Sequence, residues 1–144
     1  MTSVSLPRRR VGVLLHPTAL PGSPVCGGLG APARDWLKAL AQHGIGVWQI
    51  LPLSPPDGTG SPYSSPSSFA INPWLLDAKD LSDQGFLQPG DLEALPGVEA
   101  AEPVLDFPLA DRRAAALARQ LRHCWDQLPH SQHADFDHWR RQRQ

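Results

Sequence analysis

The segment GTGSPYSSPSSFAINPWLLD, residues 58–77, gathers the side chains best suited to touching a ligand. Its tyrosine, Tyr63, stands among serines and prolines just past an apolar run, Val47–Leu53. Tyrosine combines a flat apolar face with a hydroxyl tip. A sugar presents apolar C–H faces ringed by hydroxyls, so an aromatic ring in a polar loop suits it. Ser61, Ser64 and Asn72 can supply hydrogen bonds. Pro62, Pro66 and Pro73 reduce the freedom of the chain before binding, which lowers the ordering cost. The same residues also suit a purely structural loop with Tyr63 packed on its neighbours. Loops at strand ends carry function more often than the elements they join.

Other chemistry-bearing residues give weaker signals. Sugar chemistry often uses two carboxylates, yet no two of the acidic residues share the end of a strand. Asp57 comes nearest, and it reads first as an Asp-Gly turn residue. His130 and His133 are close, but no cysteine or carboxylate completes a zinc pattern. His16 ends an apolar run, where its imidazole can either bond the loop backbone or line a cleft. No serine nucleophile elbow is present, and GGLG lacks the Lys-Ser/Thr of a phosphate loop. The terminal RRQRQ is too short for a nucleic-acid patch.

The elements that position these residues follow from the apolar pattern. Val11–Leu15 is a continuous apolar run stopped by Pro17, the pattern of a short buried strand. A helix is expected from Pro32, with Ala33, Trp36, Leu37, Leu40 and Ala41 along one stripe and Gly44 as its stop. Val47–Leu53 is the second buried strand. Strand, helix, strand within this length favours a parallel pair with a right-handed crossover. Beyond Asp77 the chain shows short helical hints. A longer helix is expected over Asp111–Leu128, with Ala114, Leu117, Leu121, Cys124, Trp125 and Leu128 on one face. PHSQH interrupts it, and ADFDHWRRQRQ starts another helix that runs to the end of the chain without a cap. Parallel strands need cover on both faces, so the chain reads either as an unusual small α-rich fold or, preferably, as the front piece of a larger one.

Composition bounds the function. Sixteen prolines and 12 glycines in 144 residues mean many turns and few long elements. A net charge of −1 gives no pull toward nucleic acid or an anionic membrane. No run is long and apolar enough for a transmembrane helix, and no apolar region follows the basic N-terminus as in a secretory signal. The two cysteines, Cys26 and Cys124, form no disulfide framework or metal spacing and fit a reducing cytoplasm.

Three stretches carry a resemblance: GVLLHPTALPG, then GLGAPARDWLKALAQHGIGVWQILPLSP, then GSPYSSPSSFAINPWLLD. In order and spacing they resemble the N-terminal segment of the amylomaltases, the 4-alpha-glucanotransferases also called disproportionating enzymes. The likeness is clear over residues 11–87. Further on, LDF at Leu105–Phe107 is similar to a Val-Asp-Tyr that precedes a long helix in the family. The resemblance implies an α/β fold, the first β/α elements of a (β/α)8 TIM barrel elaborated by insertions. Residues 1–10 would be a tail, 11–87 the first barrel elements with the sugar-cleft loop, and 88–144 a mainly helical insertion region cut off at the C-terminus. It implies a retaining enzyme that moves α-1,4-glucan segments between chains, through a carboxylate nucleophile and a second carboxyl group acting as acid and then base. No metal or organic cofactor is implied. The partner would be a malto-oligosaccharide or α-glucan, with no nucleic acid and no membrane.

The family's carboxylates lie on later barrel strands and have no counterpart here, so no catalytic residue is assigned and the chain alone is expected to be inactive. The residues that carry over are Tyr63 and Ser61, similar to the family's cleft-lining pair, and Asn72 with Pro73 on the Asn-Pro that shapes the loop. Trp48 and Gln49 read as scaffold. Gly60 stands where an Asp or Asn is common, Ile71 where a Gly is frequent, and SPVCGGLG where a Pro-Tyr-Gly-Ile-Gly-like stretch is usual, so the loop geometry departs from the family's. A rival reading is a small α-glucan-binding or regulatory module without catalysis.

Overall fold

The computed structural model describes residues 9–21, 25–97 and 105–142. Most of the expected tail and part of the SPVCGGLG loop lie outside these residues. Two strands, β1 (Gly12–Leu14) and β2 (Val47–Gln49), pair in parallel with Val13 opposite Trp48. Helix α1 (Ala31–Gln42) makes the crossover between them. Pro32 sits in its first turn, as expected of a residue with fixed φ and no donor to lose. Gly44 follows its end at φ +71°, a conformation that a side chain makes costly. The Trp48 indole donates to the Leu15 carbonyl at 2.8 Å and locks the two strand ends together, the scaffold role expected of it.

The strands differ from expectation in length and burial. Ladder pairing ends at Leu14 and Gln49, and the chain then runs on toward the proline-rich loop without regular pairing. Nor is the apolar run buried: Val11 is 67% exposed and Leu14 54%. Val47 and Ile50 are exposed too. A continuous apolar run is the mark of a strand covered on both faces. Among the described residues only part of that cover is present, and each strand has one neighbour.

The core lies elsewhere. Helix α2 (Ala78–Asp83), the segment around Leu87 and Leu95, and helix α3 (Phe107–Trp125) enclose Ala78, Leu87, Leu95, Ala116 and Leu117. A smaller cluster joins Val25, Cys26 and Ala110, with Trp74 and Leu109 packed against it. The expected face of α3 is correct, since Leu117 and Cys124 are buried and the other members half-buried. Its start is four residues earlier than expected because Asp106 caps it, Oδ1 accepting the Leu109 N–H at 2.8 Å. Helix α4 (His130–Arg141) likewise begins earlier, within PHSQH, and ends at a Gln142 cap. It buries no side chain fully, and rests on α3 through Trp125, whose ring meets His133 and Phe136 edge-on. The Arg34 guanidinium ties α1 to α2 by a fork to Asp80, at 2.6 and 2.8 Å.

Candidate functional site: the loop at the C-terminal ends of the strands

Both strands release their chains on the same side of the pair, and the candidate residues collect there. His16 follows β1 and caps a single 3-10 turn, Pro17–Ala19. Its Nδ1 accepts the Thr18 N–H at 3.4 Å and lies 2.7 Å from Thr18 Oγ1. Its Nε2 lies 3.3 Å from the Pro52 carbonyl, which can only accept. A proton on Nε2 suits the Pro52 carbonyl and leaves Nδ1 to accept from Thr18. The two options left open for His16 are therefore met together. It ties the ends of the strands across the sheet, and it lines a cavity of about 170 Å³.

That cavity is mainly apolar, with Pro52, Pro62, Trp74 and Phe107 in its walls. The Trp74 and Phe107 rings stack with centroids 5.4 Å apart. Trp74 is fixed from behind, its indole N–H donating to Asp111 Oδ1 at 2.8 Å. Gly60 passes under Phe107 at φ +71°, and a β-carbon there would overlap the ring. The Asp or Asn that the resemblance leads one to expect here cannot fit beside Phe107 in this arrangement. No carboxylate lines the cavity among the described residues.

Of the three residues singled out from sequence, Asn72 lines the cavity while Ser61 and Tyr63 sit beside it, next to the lining residues Gly60 and Pro62. Asn72 is 2% exposed and caps the turn Pro73–Leu75, its Oδ1 accepting the Trp74 N–H at 3.0 Å. Its backbone N–H donates to the Leu53 carbonyl. Ser61 Oγ accepts the Tyr63 N–H at 3.3 Å. Tyr63 is 74% exposed, so the alternative in which it packs on its neighbours does not hold. An exposed aromatic on an ordered polar loop is a surface that a sugar face can cover.

Sequence reasoning missed three features of the site. Trp74 and Phe107 are 33 positions apart, and no periodicity links them. The reach of His16 to Pro52 depends on strand register. Asp57 has the company of a built group rather than a bare turn, since Thr59 and Ser64 donate to its two oxygens. Those bonds, Ser64 first, hold its carboxyl below the usual carboxylate range. Among the described residues no group of His, Cys, Asp and Glu is arranged to hold a metal ion, and no helix is long and apolar enough to cross a membrane.

A β-α-β unit whose strand ends open into a long loop is the construction found at the active face of a (β/α)-barrel. Comparison with known proteins makes the class specific. A family model described as Glyco_hydro_77, 4-alpha-glucanotransferase, matches residues 15–144. The chain is 48% identical over 80 residues to the 4-alpha-glucanotransferase of Thermus thermophilus, covering 56% of this chain and 16% of that protein. It is 45% identical over 91 residues to that of Synechocystis sp., covering 63% and 18%. An amylomaltase from Streptococcus agalactiae, solved in complex with acarbose, superposes with a TM-score of 0.80 at 26% identity, covering 94% of this chain and 27% of that one. The chain belongs to the 4-alpha-glucanotransferase family. It matches the N-terminal part of the amylomaltase barrel and spans about a sixth of the length of these curated relatives.

Proposed function

We propose that this chain forms the glucan-holding front of a retaining 4-alpha-glucanotransferase, which moves α-1,4-glucan segments from one chain to another. The observation that carries this reading is the Tyr63 ring, exposed on an ordered loop at the C-terminal ends of the strands. Family membership supports the reaction class. In this reading Tyr63 offers its face to a glucosyl ring, Ser61 sets the turn beneath it, and Asn72 holds the wall of the adjoining cavity. The carboxylate nucleophile and the acid/base partner are not among the residues that line that cavity. Two unpaired thiols, Cys26 and Cys124, support a cytoplasmic setting.

A second reading, a glucan-binding module without catalysis, is suited equally by the exposed Tyr63 ring. Maltoheptaose titration of the chain tests what the two readings share. Tyr63→Ala is expected to weaken binding by about tenfold, and Tyr63→Phe, which keeps the ring face, by much less. Equal affinity of Tyr63→Ala and the unaltered chain sinks the shared reading. The chain alone is expected to leave maltotriose unchanged. Disproportionation of maltotriose by the pure chain would mean that a working carboxylate pair exists within it, against both the site assignment and the module reading.

A further inference from the structure

We infer that Asp57 is the positioning residue of Tyr63, holding the loop at both ends so that the ring is presented before a sugar arrives. The inference rests on reading Tyr63 as the sugar platform. The ring is 74% exposed and stacks on no other aromatic among the described residues. Little on the ring side fixes it, so its place comes from the backbone that carries it.

That backbone is closed on itself. Asp57 N donates to the Ser64 carbonyl at 2.7 Å, Gly60 N to the Asp57 carbonyl at 2.9 Å, and Ser64 N to the Ser61 carbonyl at 3.0 Å. The Asp57 carboxylate then works in two directions. Oδ2 accepts the Ser64 hydroxyl at 2.5 Å, immediately after the tyrosine. Oδ1 accepts both the Thr59 N–H at 2.9 Å and the Thr59 hydroxyl at 2.5 Å. From there the bonds climb the loop in steps of two residues. Thr59 Oγ1 accepts the Ser61 N–H at 3.4 Å, and Ser61 Oγ accepts the Tyr63 N–H at 3.3 Å. One side chain thus reaches the tyrosine along both arms of the loop. An Asp-Gly turn needs only the Thr59 arm. The Ser64 arm needs a second accepting oxygen, which an ionised carboxylate has and an asparagine amide lacks. Holding the loop in its binding geometry removes part of the ordering cost of recognition.

The test uses the 144-residue chain, whose single tyrosine gives one labelled ring signal, with maltoheptaose as probe. Asp57→Ala is expected to mobilise the ring and weaken maltoheptaose binding about three- to tenfold, while the urea midpoint of the whole chain stays put. Asp57→Asn keeps the Thr59 arm and should fall between the two. Ser64→Ala should also fall between, and adding it to Asp57→Ala should cost nothing more. An Asp57→Ala ring as ordered as the original, with unchanged affinity, overturns the inference. So does an affinity loss that only tracks a falling urea midpoint. Should the unaltered chain bind no maltoheptaose, the glucan reading fails by itself, and the ring's mobility in Asp57→Ala still decides whether Asp57 holds the loop.

Discussion

The two halves of the molecule are stabilised by different means. Around α2 and α3 the chain buries a cluster of apolar side chains, and Leu95, Leu117 and Cys124 are each less than 5% exposed. On the strands and the loop after them many apolar side chains stay open, although Leu20, Val25 and Leu40 are buried nearby: Phe69 is 97% exposed and Ile71 76%. There the order comes from directional bonds instead, in the parallel ladder, the His16 bridge and the loop closed by Asp57. Burial is cooperative and indifferent to direction, whereas hydrogen bonds fix geometry at a modest net gain each. The two regions meet at the cavity, where Trp74 stacks on Phe107 and donates to Asp111. The part proposed to face a glucan is the one built from bonds that specify positions.

Substitutions can break that contrast. The largest effect is expected from Leu117→Ala, which opens a cavity between α2 and α3 and should cost about 2–5 kcal/mol in urea unfolding. Leu14→Ser on the open strand face should cost no more than roughly 0.5 kcal/mol. Equal costs at the two positions would mean that the sheet face is covered in solution. Gly60→Ala comes next. It forces a side chain into the left-handed region and against Phe107, at about 1–3 kcal/mol locally. Near-ultraviolet circular dichroism should report the disturbed Trp74–Phe107 stack, and an unchanged spectrum would show that the loop relieves the overlap elsewhere.

The smallest effect concerns pH. Hydrogen bonds from Arg34 hold the Asp80 carboxyl below the usual carboxylate range. A proton is thus harder to add in the folded chain than in the unfolded one. The contribution is complete above the ordinary carboxylate pKa and drains away as pH falls through the lowered one. Asp80→Asn should flatten that acid-side slope in urea midpoints taken across pH. A slope unchanged by the substitution would assign it to other carboxylates.

The strand–helix–strand order was legible because each element carries its own signal: two apolar runs, a helical stripe after Pro32, and a glycine stop at Gly44. The face of α3 was legible for the same reason. Its start was not, because a cap depends on which side chain turns back, and Asp106 was one of several acidic residues nearby. Strand burial was misread because an apolar run records the cover a strand is suited to, whatever cover is present. In the site, Tyr63 stood out by type and setting. The wall behind it did not, since Trp74, Phe107 and His16 meet only through tertiary placement. Asp57 could have been suspected further from its spacing to Thr59 and Ser64, but an Asp-Gly pair has a commoner explanation.

The open strand pair also governs how the chain behaves in quantity. Each of β1 and β2 has an unpaired edge among the described residues, flanked by Val11, Leu14, Val47 and Ile50. Unpaired edges template strands from other molecules. A net charge of −1 and an isoelectric point near 6.6 supply little colloidal repulsion at neutral pH. The strand edges therefore join Phe69 and Ile71 among the places where copies of this chain can meet, and a lysine placed at Leu14 is expected to raise its solubility, measured as the protein concentration at which precipitation begins.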